Sequence, residues 1–434
     1  MSNQDIRTDK YSELRSVFQY YIDSYNALYQ LKTDSEEDLN SIYKMIKTEL
    51  IDSKKHPHEN IIKDILNIIE YNNRYTKSYL KLAKLISDDY RVTNVSRITN
   101  LSNYLFYEEY GINLDKTGKL ETNNLHNLKI HSEDTIFKAI MNNNIEKLIA
   151  FTEIDGFDKD QKLNSDLYPY PSMKYSLLEL CCYHGAIDCF KFLRTEFKSE
   201  ITDVCLRFSF LGRSKEILSE CLKYRKPDIN CMKYAIISHN IDFVTFLINE
   251  YGLEINLESC TQFNNIEPFL VYFDQNHDVY KCLAYSPNFN IPSFCEYFLS
   301  YCPHVNIIVN GLTALQRASC DNCKEIAELL ISHGANINET GNNEKTALYY
   351  ATLNNCKETA EVLISHGAII DYKDRYGRTA LHNAAMTNNK EIALLLISHG
   401  ANINEKDYHG DTALDVARCF NIGCPKVRLA QRSI

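Results

Sequence analysis

The feature that most constrains the fold is a sequence unit that recurs every 33 residues between residues 311 and 418. Each unit opens with Thr-Ala-Leu, and a further alanine stands five residues after the threonine. The opening threonines are Thr313, Thr346, Thr379 and Thr412. Glycines recur at the same spacing within Ser-His-Gly-Ala, at Gly334, Gly367 and Gly400. A fixed period of this length predicts a solenoid in which similar supersecondary units stack on one another.

A single unit, residues 377–407, predicts two short helices joined by a turn. Thr379 is placed to cap the first helix, which should run from Ala380 to about Met386. The second helix should run from Lys390 to Ser398, and Gly400 follows it where a left-handed residue is expected. Helices this short are marginal in water, so each must bury a face against the units before and after it.

The turn between the two helices carries an asparagine that is followed three residues later by a glutamate. We interpret this spacing as a capping box at the start of the second helix. The pairs are Asn322 with Glu325, Asn355 with Glu358, and Asn388 with Glu391.

The run from Asp374 to Ala385 resembles the ankyrin consensus, which reads Asp-x-x-Gly-x-Thr-Pro-Leu-His and then Ala-Ala. Alanine replaces the proline in every unit, and the histidine is retained only as His382. The resemblance is specific over residues 311–418 and implies an all-α fold, an ankyrin-type helical-hairpin solenoid with an N-terminal helical region. The whole chain also resembles a large protist family of ankyrin proteins with a degenerate helical region before the clear repeats.

We divide the chain into three regions on these patterns. Residues 1–130 form an N-terminal helical region, and residues 131–280 hold degenerate repeats with loops of variable length. Residues 281–434 hold the ankyrin repeats: 281–310 degenerate, 311–343, 344–376 and 377–409 clear, and 410–434 incomplete. Pro425 stands where the second helix of the last repeat should begin, so we expect no full helix there.

The N-terminal region shows apolar residues at helical spacing in successive stretches. One stretch spans Val17 to Leu28, and another follows Ser35. Pro57 suits the start of a third helix. A fourth is expected from Tyr75 to Ile86 and a fifth from Val95 to Tyr107.

Composition limits the function classes. The net charge is −10, and no part of the chain is basic enough to indicate nucleic-acid binding. The first residues form no apolar signal segment, and no apolar run is long enough to insert into a membrane. We therefore expect a cytoplasmic protein, with a nuclear location left open. The 15 cysteines are expected to be free, mostly buried thiols.

Three patterns suggest cofactor chemistry and are interpreted otherwise. Gly111 to Lys119 lacks phosphate-loop spacing. Cys320 and Cys323 have zinc-like spacing but no second ligand pair follows them. His333, His366 and His399 recur with the repeat, at a helix end where imidazole is favourable. We expect neither a metal nor another cofactor, and no catalytic set of residues is indicated.

The resemblance implies a non-catalytic scaffold that binds a protein partner on the concave face of the solenoid. Transferring the variable contact positions of the ankyrin family by register gives a set of candidate partner-binding residues. These are Asn342, Asn343, Lys345, Leu353, Asn354, His366, Arg375, Tyr376, Arg378, Met386, Thr387, His399, Tyr408, His409 and Asp411.

Two further hypotheses remain open. The protein could be a regulatory or adaptor subunit whose N-terminal helices carry the specific activity while the repeats dock it. In addition, residues 240–312 hold eight acidic residues and one basic residue, Lys281, together with many aromatic residues. An acidic field beside exposed aromatic rings would attract a basic partner, and we expect Glu254 and Glu258 to contribute to it.

Overall fold

The computed structural model describes residues 10–53, 56–115, 125–130, 135–170, 172–341 and 344–422. Regular structure in these residues is almost entirely helical, so the all-α fold class is confirmed. The chain forms two compact units, Met1–Gln275 and Asn276–Ile434. None of the described helices is long and apolar enough to cross a membrane.

In its described residues, the first unit begins with six helices that are not organised as repeats. They are α1 Lys10–Val17, α2 Gln19–Tyr29, α3 Glu36–Ile46, α4 His58–Asn67, α5 Thr76–Asp89 and α6 Asn100–Tyr110. A π-helical turn, Lys47–Asp52, extends α3, and 3-10 turns at Ile69–Tyr71 and Asn73–Tyr75 precede α5. Pro57 precedes α4 as predicted. The fifth predicted helix starts later than expected, because the Thr99 hydroxyl accepts a hydrogen bond from the Ser102 amide and caps α6 there.

The rest of the first unit consists of helix pairs, as the degenerate repeat pattern predicts. The pairs are α7 Ile136–Met141 with α8 Ile145–Thr152, α9 Leu177–His184 with α10 Ile187–Glu196, α11 Asp203–Gly212 with α12 Lys215–Leu222, α13 Ile229–Ile237 with α14 Ile241–Tyr251, and α15 Leu257–Gln262 with α16 Ile266–Asn276. The first helices of successive pairs pack on one another, from α7 through α9, α11 and α13 to α15. Two short antiparallel strands, β1 Lys162–Leu163 and β2 Tyr175–Ser176, lie between α8 and α9 and pair Lys162 with Ser176.

Turns within three successive helix pairs hold the N-terminal helix α2. Arg213, His239 and Asn264 each occupy a left-handed conformation, with φ of 52°, 51° and 52°. The Arg213 guanidinium donates to the Tyr29 carbonyl at 2.7 Å, and the His239 ring stacks on the Tyr29 ring at 4.0 Å between centroids. The Tyr21 hydroxyl donates to the Asn264 side chain at 3.0 Å. The N-terminal helices are therefore an integral part of the first unit.

The second unit repeats a helix pair with nearly constant length. Its helices are α17 Val279–Tyr285 with α18 Pro292–Tyr301, α19 Ala314–Cys320 with α20 Lys324–Ser332, α21 Ala347–Leu353 with α22 Lys357–Ser365, α23 Ala380–Met386 with α24 Lys390–Ser398, and finally α25 Ala413–Ile422. The first helices pack in series from α17 to α25, and the second helices pack in series from α18 to α24. Ala318, Ala351 and Ala384 are buried between the first helices, where their small side chains allow close approach.

The last repeat contains a first helix, α25, that begins as the register predicts. The Asp415 carboxylate accepts hydrogen bonds from the Thr412 amide at 3.1 Å and from its hydroxyl at 2.7 Å, which fastens the start of this helix. Residues 423–434, including Pro425, lie outside the described residues. The predicted absence of a full second helix in this repeat stays a prediction.

The prediction of capping boxes at the start of the second helices is wrong. Asn322, Asn355 and Asn388 adopt left-handed φ values of 55°, 57° and 54°, so they form the turn and do not cap the helix. The N-cap residues are Cys323, Cys356 and Asn389, without a side-chain capping bond. The Asn322 side chain instead reaches the next repeat, where its oxygen accepts from the Thr359 amide at 3.2 Å. The turn asparagines tolerate left-handed backbone, which is why they occur here.

One position of the first helix links its repeat to the next by hydrogen bonds. His382 accepts from the Thr379 amide through Nδ1 and contacts the Asp411 carbonyl of the next repeat at 3.1 Å through Nε2. Gln316 makes the corresponding bonds, accepting from Thr313 and donating to the Lys345 carbonyl at 2.9 Å. Glutamine therefore replaces histidine without loss of the link, because both residues can accept at one end and donate at the other.

Gly367 follows the second helix of its repeat with φ of 93°, and a Cβ placed on it would meet no atom within 4 Å. Replacing it with valine should therefore cost about 1–2 kcal/mol through backbone strain alone. The loss of stability should appear as faster hydrogen exchange of the amides around α22. Gly367→Asn is the matched control, because asparagine tolerates the left-handed region and should stay closer to wild type. Equal exchange in Gly367→Val and wild type would show that the left-handed conformation is not required.

Candidate functional site

The turns before the first helices α23 and α25 are each built around an aspartate. Asp374 accepts the amides of Tyr376 and Arg378 through Oδ1, both at 2.9 Å. Its Oδ2 accepts two bonds from the Arg378 guanidinium, at 3.0 and 3.1 Å. In the next repeat Asp407 likewise accepts the amides of residues 409 and 411. An aspartate that bonds its own downstream amides holds the turn in one conformation.

A cluster of aromatic and cationic side chains lies on this turn and on the neighbouring repeats. We call it the Tyr376 patch, and it comprises Lys345, Tyr349, Arg375, Tyr376, Arg378, Met386 and Tyr408. The guanidinium carbons of Arg375 and Arg378 lie 4.7 and 4.5 Å from the centroid of the Tyr376 ring. Arg375 also donates to the Tyr376 hydroxyl at 2.7 Å. These cation–π contacts and the hydrogen bond hold the Tyr376 ring in place.

Lys345 brings a third cation to the patch from the preceding repeat. Its ammonium lies 4.7 Å from the centroid of the Tyr349 ring. Burial lowers the pKa of Lys345, and the positive charges of Arg378 and Arg375 lower it further, against a smaller opposing effect of Asp374. Among the described residues, no carboxylate lies within ion-pair distance of this ammonium. Lys345 is therefore a half-buried cation in an environment that disfavours its charge.

Tyr408 extends the patch onto the following repeat. Its amide donates to the Tyr376 carbonyl at 3.0 Å, which ties the two turns together. Its ring lies directly over Gly377, since a Cβ at that position would come within 2.7 Å of a ring carbon. Even so, 74% of Tyr408 is exposed. A large aromatic side chain is thus held by its backbone and by one close contact while most of its surface faces solvent.

Comparison with protein families identifies the repeats on which this patch lies. A family model described as ankyrin repeats (3 copies) matches residues 281–374, and one described as ankyrin repeats (many copies) matches residues 353–397. The C-terminal part of the chain is an array of ankyrin repeats. Ankyrin repeats are protein–protein interaction modules and are typically non-catalytic, so this array indicates an interaction domain and implies a protein partner.

The helix pairs before the ankyrin repeats match a different model. A domain of unknown function (DUF3447) matches residues 197–272, which covers α11 to most of α16. None of the curated proteins compared with the chain matches it. The resemblance to a protist ankyrin family and the exact domain boundaries stay predictions. In the structure, residues 1–275 form one compact unit.

The structure brings six of the sequence-predicted contact residues together in the Tyr376 patch: Lys345, Arg375, Tyr376, Arg378, Met386 and Tyr408. The remaining described ones lie elsewhere on the ankyrin repeats. Leu353, Asn354 and Thr387 lie at the ends of first helices, His409 and Asp411 lie in the last turn, and His366 and His399 cap second helices. Asn342 and Asn343 lie outside the described residues. Whether any of these residues contacts a partner stays a prediction.

Arg378 occupies a different environment from the solvent-facing position that the register implied. Only 7% of it is exposed, since its guanidinium is bound to Asp374 and lies against Tyr376 and the Met386 sulfur. Arg378 therefore stabilises the patch through these buried contacts. The sequence interpretation missed Asp374 and Tyr349, which hold Arg378 and Lys345. For Tyr349 the sequence did offer a signal, because a tyrosine there replaces the histidine of the ankyrin motif.

The histidines at the ends of the second helices have a local role. The Nδ1 atoms of His333, His366 and His399 each lie 2.9 Å from the carbonyl four residues earlier, at the helix terminus. The same carbonyl also accepts the backbone amide of the histidine, so the ring adds a second contact to the last turn of the helix. No group of three or more His, Cys, Asp or Glu side chains in the described part of the chain is arranged to hold a metal.

The acidic segment, residues 240–312, keeps Glu254 and Glu258 exposed. Glu267, by contrast, is buried and forms an ion pair with Arg15 at 2.7 Å within the first unit. The aromatic rings that the hypothesis needed at the surface are mostly core, including Phe243, Phe263, Phe269, Phe273, Phe294 and Phe298. These burials weaken the basis for a basic partner at this segment, which stays a prediction.

Proposed function

We propose that this chain is an interaction scaffold that binds a protein partner through the Tyr376 patch, on the face made by the turns and first helices of residues 344–409. The observation that carries the proposal is Tyr408, which is 74% exposed although its amide is bonded to the Tyr376 carbonyl and its ring lies against Gly377. A rigid exposed aromatic residue loses little conformational entropy on binding.

The composition of the patch supports the same proposal. Tyrosine and arginine are the residue types enriched among those that contribute most to binding energy at interfaces. Here Tyr376, Tyr408 and Arg375 come from adjacent turns, and the buried Asp374–Arg378 pair fixes the turn that carries two of them. Pre-organisation of this kind lowers the cost of binding, because fewer rotamers are restricted when the complex forms.

Replacing Tyr408 with alanine should weaken partner binding by about 30-fold, which corresponds to a loss of roughly 2 kcal/mol. The protein of residues 1–434 would be used as bait in a cell lysate, with the bound proteins quantified by mass spectrometry. Affinities for the recovered partner would then be measured with purified proteins. Arg375→Ala should produce a loss in the same direction, because its guanidinium lies on the same patch.

The matched control is Tyr301→Ala. Tyr301 is another exposed tyrosine of the second unit, 55% exposed, at the end of α18 and outside the patch. A partner that binds as proposed should be retained by this variant and lost by Tyr408→Ala. If every recovered protein binds wild type, Tyr408→Ala and Arg375→Ala equally, the Tyr376 patch is not the binding surface.

The alternative function, in which the N-terminal helices carry the specific activity, cannot be tested by deleting residues 1–130. Removing them would expose His239 and Asn264, which are buried against α2. The truncated first unit would lose buried hydrogen bonds and apolar contacts and would unfold for that reason. Substitutions of exposed residues on the N-terminal helices, such as Val17, are therefore the appropriate test.

A further inference from the structure

We propose that a cavity in the first unit binds a small organic molecule that carries two or more phosphate groups. The cavity has a volume of about 760 Å³ and lies among α3, α5, α6 and α7. We call it the Lys77 cavity, and the basic residues that line it are Arg74, Lys77, Lys81, Lys129 and Lys138. It belongs to the first unit, so its ligand is distinct from the protein partner of the ankyrin repeats.

The N-terminus of helix α5 forms part of the cavity wall. Thr76, Lys77 and Ser78 make up the first turn of this 14-residue helix, and all three line the cavity. The N-cap residue, Tyr75, makes no side-chain capping bond, and the first turn contains no acidic residue. The partial positive charge of the helix N-terminus is therefore not offset by a carboxylate within that turn, which favours a bound anion.

The basic side chains reach the cavity from neighbouring positions. Lys77 and Lys81 are four residues apart on α5, so their Cβ atoms lie about 5–6 Å from each other on one face of the helix. Arg74 precedes the same helix, and its guanidinium donates to the Met141 carbonyl and, at 3.1 Å, to the His184 carbonyl. Two carbonyl groups thus hold the Arg74 side chain at the cavity wall without neutralising its charge.

Positive charge exceeds negative charge among the described residues that line the cavity. Arg74, Lys77 and Lys129 form no ion pair with a carboxylate in the described part of the chain, whereas Lys81 is paired with Glu36. A ligand with several negative charges would interact with more than one of these cations at once. Charge-assisted hydrogen bonds to phosphate are about twice as strong as neutral ones, so the cations favour a ligand of this kind.

The remaining lining limits the size and type of the ligand. A volume of about 760 Å³ lies within the range of roughly 300–1,000 Å³ that is usual for small-molecule sites. Leu39, Met141 and Leu167 supply buried apolar surface to the same cavity, which suits a carbon framework that carries the phosphates. A nucleic-acid strand instead needs a continuous basic groove, and the chain as a whole carries a charge of −10.

Isothermal titration calorimetry with the protein of residues 1–434 tests the proposal with three probes. ADP and pyrophosphate both carry two linked phosphates, and adenosine carries none. ADP and pyrophosphate should bind, and adenosine should not bind at the same concentrations. The affinity for both phosphate probes should fall as salt is added, because the attraction between charges is screened.

The double variant Lys77→Gln, Lys129→Gln should bind ADP and pyrophosphate about tenfold more weakly. Both lysines are exposed and form no ion pair in the described residues, so the fold should be retained. The matched control is Lys147→Gln combined with Lys174→Gln, two exposed lysines of the first unit that do not line the cavity. This control removes the same total charge and should bind both probes like wild type.

Asp34→Asn supplies a variant that should gain affinity. Asp34 is the one carboxylate among the described residues that line the cavity, and it accepts a hydrogen bond from the Ser78 hydroxyl at 2.5 Å. Asparagine keeps an oxygen that can accept this bond but removes the negative charge. Pyrophosphate should bind this variant about threefold more tightly, and an unfolded protein could not produce such a gain.

Equal affinity of wild type and the Lys77→Gln, Lys129→Gln variant for pyrophosphate would overturn the proposal, as would binding of adenosine as tight as that of ADP. Two further arms identify other sources of phosphate. Binding to vesicles that contain phosphatidylinositol bisphosphate, or to single-stranded oligothymidine, without binding of ADP or pyrophosphate would assign the cations to a membrane or a nucleic acid. Either result would exclude a small phosphorylated ligand.

Discussion

Replacing Asp374 with alanine should destabilise the repeats around α23 by about 3–5 kcal/mol, because it leaves the buried Arg378 guanidinium without its counter-ion. Asp374 and Arg378 are 2% and 7% exposed, and two side-chain hydrogen bonds join them. The substitution also removes the acceptor of two turn amides. Faster hydrogen exchange of the amides in residues 369–387 would report this loss of stability within the protein of residues 1–434.

The control for this prediction is Lys373→Ala, in the same turn. Lys373 forms an exposed ion pair with Glu405 at 2.7 Å, and exposed pairs contribute little because water screens them. Combining Asp374→Ala with Arg378→Met should recover much of the lost stability, since no buried charge then remains. If Asp374→Ala and Lys373→Ala had equally small effects on exchange, the buried pair would not hold the turn.

The first unit should lose stability as the pH falls below 6.5, because its fold keeps His239 neutral. Burial lowers the pKa of His239 from 6.5 to about 3, and the nearby Arg213 guanidinium lowers it further while the Phe263 carbonyl opposes the shift. The unfolded chain therefore binds a proton that the folded chain does not. The free energy of unfolding should decrease by about 1.4 kcal/mol per pH unit below 6.5, or roughly 2 kcal/mol by pH 5.

The direction of this effect follows from which state is protonated. A histidine with a lowered pKa contributes no penalty above 6.5, where both states are neutral, and a growing penalty between 6.5 and about 3. Urea unfolding monitored by hydrogen exchange at α2 and α13, at pH values from 7 to 5, would measure this change in the free energy of unfolding.

Two histidine variants separate this effect from general acid sensitivity. His239→Gln should be less stable at pH 7, because its stacking on Tyr29 is lost, but it should show a flatter dependence on pH. His126→Gln, at an exposed position of the same unit, should keep the wild-type slope. Identical slopes for wild type and His239→Gln would show that His239 is not the group responsible.

The prediction at His239 also concerns how the first unit is assembled. The His239 ring stacks on Tyr29, lies 3.0 Å from the Asn26 side chain and contacts the Phe263 carbonyl at 2.9 Å. Protonation would thus act on the contact between α2 and two helix pairs. Loss of hydrogen-exchange protection at acidic pH should appear at α2 together with those pairs, and not in α2 alone.

Much of the ankyrin array follows from local sequence. The threonine before each first helix, the alanines within it and the glycine after each second helix act on residues a few positions away. Thr313 and Thr346 cap their helices, and Gly334, Gly367 and Gly400 adopt positive φ, as their spacing predicts. Since such interactions repeat with the period of the sequence, the pattern was sufficient to predict the helix pairs and the all-α fold.

The capping boxes show the limit of such local reasoning. Asn322 and Glu325 have the correct spacing, but the backbone of Asn322 is left-handed, so its side chain points towards the next repeat. Spacing alone does not distinguish a turn residue from an N-cap residue when both sites accept asparagine. In the structure, the contact of the Asn322 side chain with the next repeat accompanies its role as a turn residue.

The sequence alone determined the repeat period, the helix pairs and the turns from which Lys345, Arg375, Tyr376 and Tyr408 extend. Only the tertiary structure decided that Arg378 is buried on Asp374, and that Arg213, His239 and Asn264 hold α2. The Arg213 guanidinium binds a carbonyl 184 residues away along the chain. A contact between positions so far apart leaves no periodic trace in one sequence, because its partners are matched only after both segments have folded.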